Sequence, residues 1–331
     1  MSSPTRDRSR GHVPEPTARG QHIPTPLLTL AAALSVRAVD DNLPTIQPGL
    51  DWDRMETDLR NSLSLHSSTW DYWGAGWIPQ ACRDFATGHG LSPYDFTVFN
   101  VHYDDCSEPW IMCRHKDSHA SEIDMIGIFG RMPVHMRSYV RQFMATPGLN
   151  DGIAGLWMYP GDIMVEDRPL VRLLAHEMSH GLDYMALTQY GQPFSGTDIW
   201  RNNYAQDSAV PSDYSRTNFV EDFAEVGIIG VYDKVVPGGI GTIEPSWNRI
   251  FHQYATYQGY LGDNVLPGGS CRARVGNSQV VPMGNSAKTV RRDDLLGPKP
   301  DVSFKNSTIT VINPDPKFKG LTHVNPGHHA H

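Results

Sequence analysis

The stretch Pro169–Leu187, PLVRLLAHEMSHGLDYMAL, constrains this chain more than any other, because it sets two histidines four residues apart with a glutamate beside the first. At about 100° per residue on an α-helix, His176 and His180 point within about 40° of each other, and Glu177 lies about 60° beyond His180. Leu170, Val171, Leu174, Met178, Leu182 and Met185 occupy the opposite arc, so the pattern predicts a buried helix with one polar face. Two imidazoles at i, i+4 offer Zn²⁺ two neutral nitrogen donors. Glu177 is then placed to take a proton from a water at the ion.

This is the HExxH arrangement of zinc peptidases, whose catalytic ion has three protein ligands and an open position. A third donor is therefore needed. The metzincin continuation HxxGxxH is excluded, since Asp183 stands where its glycine belongs and Ala186 where its histidine belongs. Asp183 itself lies about 20° from His176 on the polar face, although one straight helix converges three ligands awkwardly. It fits better as a hydrogen-bonding support to the ligands. The GTD at Gly196–Asp198 lacks the rest of the pattern of aspartate-ligand zinc peptidases. Glu221 and Glu225 remain, about 40° apart on a predicted helix, Asn218–Tyr232, that can cross the first. A competing role for Glu221 is a capping box with Asn218, three residues earlier.

The segment SDYSRTNFVEDFAE, Ser212–Glu225, resembles the third-ligand segment of the anthrax-lethal-factor-like metallopeptidases. There a tyrosine precedes the ligand glutamate by seven residues and a second glutamate follows it by four. Tyr214, Glu221 and Glu225 match those positions, with Phe223 and Ala224 in the same pattern. The resemblance spans His176 to Glu225. It implies Glu221 as third zinc ligand, Glu225 as a hydrogen-bonding partner behind the ligands, and Tyr214 as a hydroxyl donor to substrate. DCSEPWIMCRH, Asp105–His115, is similar to the secreted conidiation-associated proteins of filamentous fungi.

Length and composition are compatible with one large folded region: 331 residues, 39% hydrophobic, 10% aromatic. A net charge of −8 without a long basic run argues against nucleic acid as a partner. The early apolar run Leu27–Val36 is too short to span a bilayer. With Arg6, Arg8, Arg10 and Arg19 before it and Val36, Arg37 and Ala38 after it, residues 1–38 read as a secretory signal cut after Ala38; a mitochondrial presequence is the alternative. No later stretch is a membrane span. An exported chain with Cys82, Cys106, Cys113 and Cys271 is expected to form two disulfides, Cys106 with Cys113 and Cys82 with Cys271. The sequon Asn306-Ser307-Thr308 is concordant with export as a glycoprotein.

Along the chain, Asp51–Ser64 reads as a helix, and Trp70, Tyr72, Trp73 and Trp77 as core or cleft lining. Phe96–Tyr103 reads as a strand, Ile123–Phe129 as a second apolar run, and Val134–Met144 as a helix. Leu156–Tyr159 and Ile163–Glu166 flank Pro160-Gly161 as a strand and turn just before the HExxH helix, and in zinc peptidases of this type an edge strand near this point pairs with extended substrate backbone. Trp247–Leu261 reads as a further helix ending at Gly262. Beyond it Gly, Pro, Asn and Lys predominate, and His323, His328, His329 and His331 sit in no regular element.

The expected molecule has an α+β fold with a zincin-like metallopeptidase domain over residues 39–283 and a weakly folded tail over 284–331. Its sheet-bearing N-terminal half and helical C-terminal half enclose the cleft. The expected function is a secreted, monomeric endopeptidase holding Zn²⁺ through His176, His180 and Glu221, with Glu177 and Tyr214 catalytic and Glu225 and Asp183 behind the ligands. Its partner is a peptide or protein substrate. The rivals are a wall or surface protein of this fold with little turnover, and a zinc amidase acting on a non-peptide bond.

Overall fold

The computed structural model describes residues 43–149, 154–166, 169–271, 273–284 and 299–300. The expected signal segment 1–38, the Asn306 sequon and the four tail histidines lie outside the described residues. Seven of the strands come before the HExxH segment: β1 (Ser68–Tyr72), β2 (Trp77–Pro79), β3 (Phe96–Tyr103), β4 (Trp110–His115), β5 (Gln142–Ala145), β6 (Gly155–Met158) and β7 (Asp162–Val165). Interleaved with them are α1 (Trp52–Ser62), α2 (Gln80–Gly88), α3 (Glu122–Arg131) and α4 (Val134–Arg137). Then come α5 (Val171–Met185), α6 (Asp198–Tyr204), α7 (Phe219–Val235) and α8 (Phe251–Leu261), and lastly strand β8 (Val280–Pro282). The described fold is thus mixed α+β, with the sheet early and the helices late. No helix among the described residues is long and apolar enough to cross a membrane.

Six strands form one sheet in the order β1-β3-β4-β5-β7-β6, while β2 and β8 pair separately. β4, β5 and β7 run parallel; β1–β3, β3–β4 and β6–β7 pair antiparallel. Period-2 alternation divides the side chains between two cores. On one face Phe99, Val101, Trp110, Met112, Phe143, Ile163 and Val165 pack with α1, α3, α5 and α7 residues. On the other, Phe96, Val98, Ile111, Met144 and Met164 pack with Phe85 and Ala86 of α2. β6 lies at the sheet edge; no described strand pairs with its other side.

This division corrects the expected disulfides. The bonds are Cys82–Cys113 and Cys106–Cys271. Cys113 is in mid-strand of β4 and shares the α2 face with Cys82, whereas Cys106, in the β3–β4 connection, packs on the opposite core beside Cys271. The sheet therefore separates Cys106 from Cys113, although only seven residues part them in the chain. Peptide mapping without reduction should recover these two pairings. Replacing Cys106 and Cys271 together by alanine should cost about 2–5 kcal/mol, toward the upper end because the bond closes a separation of 165 residues.

Two element expectations also change. Val134–Met144 is not one helix: α4 ends at Arg137, and Gln142–Ala145 becomes β5, fully buried between β4 and β7. A strand covered on both faces loses its alternation and reads as a continuous apolar run. The run around Ile123–Phe129 is α3, started by a capping box in which Ser121 and Asp124 exchange hydrogen bonds.

Candidate metal centre

Helix α5 begins without a capping side chain of its own. Glu56 of α1 supplies one, its carboxylate accepting from Val171 N and Arg172 N at 3.0 Å each. An anion at a helix N-terminus satisfies orphan N–H groups and complements the dipole. Within the next two to three turns, His176, Glu177 and His180 are all buried. Helix α7 starts at Asn218, whose side chain accepts from Val220 N and Glu221 N. Small residues let the two helices approach closely: a Cβ at Gly227 would stand 2.1 Å from Ser179 Oγ. Ser179 Oγ in turn donates to Ala175 O and lies 2.8 Å from Tyr257 Oη of α8.

The crossing brings Glu221 to the two histidines. Glu221 Oε2 is 3.3 Å from His176 Nε2 and 3.4 Å from His180 Nε2. One ligand atom from each residue lies within 4.8 Å of the others. Tetrahedral coordination at about 2.0–2.1 Å per bond separates donor atoms by about 3.3 Å, so this donor set fits Zn²⁺. Glu221 Oε2 is buried between the two Nε2 atoms, which further fits a carboxylate oxygen placed to share an ion with them.

Behind the cluster, Glu225 Oε1 lies 2.9 Å from His176 Nδ1, and Glu225 Oε2 accepts from Ser212 Oγ at 2.6 Å. With a proton on Nδ1 donated to Glu225, Nε2 would offer its lone pair once a metal displaces the Nε2 proton. Breaking that contact with Glu225→Ala should weaken zinc binding about 10- to 100-fold, measured by competition with a chromophoric chelator. Undiminished affinity would mean that Glu225 leaves the ring's orientation to packing alone.

Asp183 is placed differently from its neighbours in the motif. It is fully buried, accepts from Ser195 N and Ser195 Oγ at 2.7 Å each, and stands outside the cluster of ligand atoms. Rather than supporting a ligand by a hydrogen bond, it ties the turn Phe194–Gly196 to α5. His180 Nδ1 correspondingly has no hydrogen-bond partner among the described residues.

Tyr214 opens the short helical turn Tyr214–Arg216, with its ring centroid 5.9 Å from that of His176 and 38% of its surface exposed. Gly155 of β6 covers the other side: a Cβ there would stand 2.6 Å from Glu177 Oε1. Both Gly155 and Glu56 escaped the sequence reading, because each acts through a contact far away along the chain. The aligned capping residue that would betray Glu56 is missing from α5 itself, and that absence is the available signal.

The electrostatics follow from these contacts in the metal-free chain. Burial lowers the His176 pKa, but hydrogen bonds to Glu221 and Glu225 and the charge of Glu177 outweigh it and lift the pKa to about 10. Burial raises that of Glu221, yet its hydrogen bonds to His176 and His180 hold it well below the usual carboxylate range. Burial, only partly offset by the histidines, raises that of Glu177. Tyr214 is pushed up to about 12 by burial and then by the charges of Glu221, Glu177 and Glu225. At neutral pH His176 is therefore protonated, and a metal must displace that proton. Affinity for metal should rise with pH up to that value.

A family model for conidiation-specific protein Con-13 matches residues 49–248, more than half of the chain, including His176, Glu177, His180, Tyr214, Glu221 and Glu225. The chain belongs to the Con-13 family. It is 28% identical over 269 residues to conidiation-specific protein 13 of Neurospora crassa, covering 78% of this chain and 75% of that protein. No solved structure matches.

Proposed function

We propose that this Con-13 family member is a secreted zinc endopeptidase with a zincin-like catalytic domain. The observation that carries the reading is the donor triangle of His176, His180 and Glu221, set beside Glu177 and beneath an edge strand. Zn²⁺ bound there would act as a Lewis acid toward a water and the scissile carbonyl. Glu177, adjacent in sequence to His176, takes the water's proton and returns it to the leaving amide nitrogen. The Tyr214 hydroxyl donates to the carbonyl oxygen as negative charge develops there. The side of β6 with which no described strand pairs would offer backbone hydrogen bonds that hold an extended peptide in register. Both disulfides support an oxidising compartment, hence export.

The test is cleavage of a mixed peptide library by the zinc-loaded chain, repeated after chelation. Cleavage that chelation removes and zinc restores supports the reading. Absence of cleavage by fully loaded protein overturns it, in favour of a wall or surface protein, and turnover confined to small amides indicates an amidase. Within this mechanism Tyr214→Phe should keep zinc, fold and approximate KM while kcat falls roughly 10²- to 10³-fold, the scale for one oxyanion donor. An unchanged kcat would remove Tyr214 from the chemistry.

A further inference from the structure

Resting on the endopeptidase reading, we infer that Trp157, Tyr159 and Tyr184 form a subsite beside His180 that selects an aromatic side chain of the substrate. Alternation along β6 is the starting point. Leu156 and Met158 pack on the core shared with α2, while Trp157 packs on the opposite core, the one containing α5. Gly155, two residues before Trp157, abuts Glu177, so successive positions on this face step from the general base to the indole. Two strand residues cover about 6.6 Å, the interval between alternate side chains of a paired peptide.

The rings form a corner. Trp157 stacks on Tyr184 at 5.0 Å and 28° and lies 6.2 Å from the His180 ring. Tyr159 stands at 79° to Trp157 with centroids 6.4 Å apart, and is 65% exposed. Trp157 Nε1 is withdrawn from solvent and would be 3.4 Å from a Cβ at Gly181, so the indole offers carbon rather than its N–H to a ligand. A planar side chain entering this corner can stack on one wall and meet the other edge-on, the two geometries aromatic pairs prefer. An aliphatic chain gains area alone. An acidic one meets the carboxylates of Glu177 and Glu221 nearby.

The experiment uses the zinc-loaded chain and peptides differing at one position: Phe, Tyr, Leu, Lys, Asp or Ala. Cleavage gives kcat/KM, and equilibrium binding of the same peptides to the Glu177→Gln variant reads the subsite without turnover. At one position within two residues of the scissile bond, Phe and Tyr should exceed Ala by about tenfold or more, with Leu and Lys between. Tyr159→Ala, at an exposed position where misfolding is a small risk, should lower the Phe-to-Ala ratio about 2- to 12-fold with zinc content and melting temperature unchanged. Trp157→Leu should lower it further.

Equal preference for Phe, Leu and Lys, or a ratio unmoved by Tyr159→Ala, overturns the subsite. Cleavage without aromatic preference sinks the subsite alone and leaves the endopeptidase standing. Aromatic preference in binding, lost in Tyr159→Ala but accompanied by no cleavage, sinks the endopeptidase and retains the subsite. Neither cleavage nor selective binding removes both.

Discussion

Glu177→Gln should bind zinc with wild-type stoichiometry and lose about 10²- to 10⁴-fold in kcat, the range for removing a general acid–base group. Gln preserves the side chain's length and its packing beneath Gly155, but it cannot accept the proton of the attacking water. A companion substitution separates position from chemistry. Gly155→Ala leaves the carboxylate intact and puts a methyl group where Glu177 Oε1 now stands 2.6 Å away, so the carboxylate or the strand must shift. Misplacement by about 1 Å costs on the order of 10²-fold, so Gly155→Ala should lower kcat to a comparable or smaller extent while zinc content stays full. Equal kcat in wild type and Glu177→Gln would deny Glu177 a catalytic part, and intact turnover in Gly155→Ala would show that the pocket relaxes freely.

What the sequence reveals about this site follows the distance over which each contact acts. The two histidines and Glu177 are one helical turn apart, so geometry alone puts them on one face. Spacing puts Glu221 and Glu225 on one helix face, but only the resemblance of Ser212–Glu225 tells their roles apart; Asn218 accepts from Glu221 N while the Glu221 carboxylate turns to the histidines. Asp183 shares the helical face of His176 by angle, but Ser195, twelve residues on, captures both of its oxygens.

Pairing Cys106 with Cys113 rested on proximity in the chain, whereas side-chain alternation in β4 decides which core each cysteine enters. The signal was present: Trp110 and Met112 face one way, Ile111 and Cys113 the other. Gln142–Ala145 gave no such warning, since a central strand buried on both faces carries the same apolar run as a buried helix. Glu56 capping α5 and Gly155 seating Glu177 depend on the tertiary fold itself, and no local pattern encodes them.

The remaining large effect belongs to Glu221. Glu221→Ala should lower zinc affinity by more than about 100-fold, exceeding the upper range for residues that only support a ligand, because it removes a donor outright. Two imidazoles would remain at the ion, and Glu225 would still hold His176 by Nδ1. Activity should therefore return only in part when zinc is supplied in excess, since the carboxylate that helped set the geometry of the ion is gone. Asp183→Ala is the informative contrast. It leaves Ser195 N–H without its buried acceptor, a loss of about 1–3 kcal/mol in stability, but touches none of the three donor atoms. Zinc titration and thermal melting should thus respond oppositely in the two variants: affinity falls in the first, melting temperature of the metal-free chain in the second. Full zinc occupancy in Glu221→Ala together with its loss in Asp183→Ala would transfer the third ligand to Asp183, and would require α5 to turn that carboxylate away from Ser195 on binding metal.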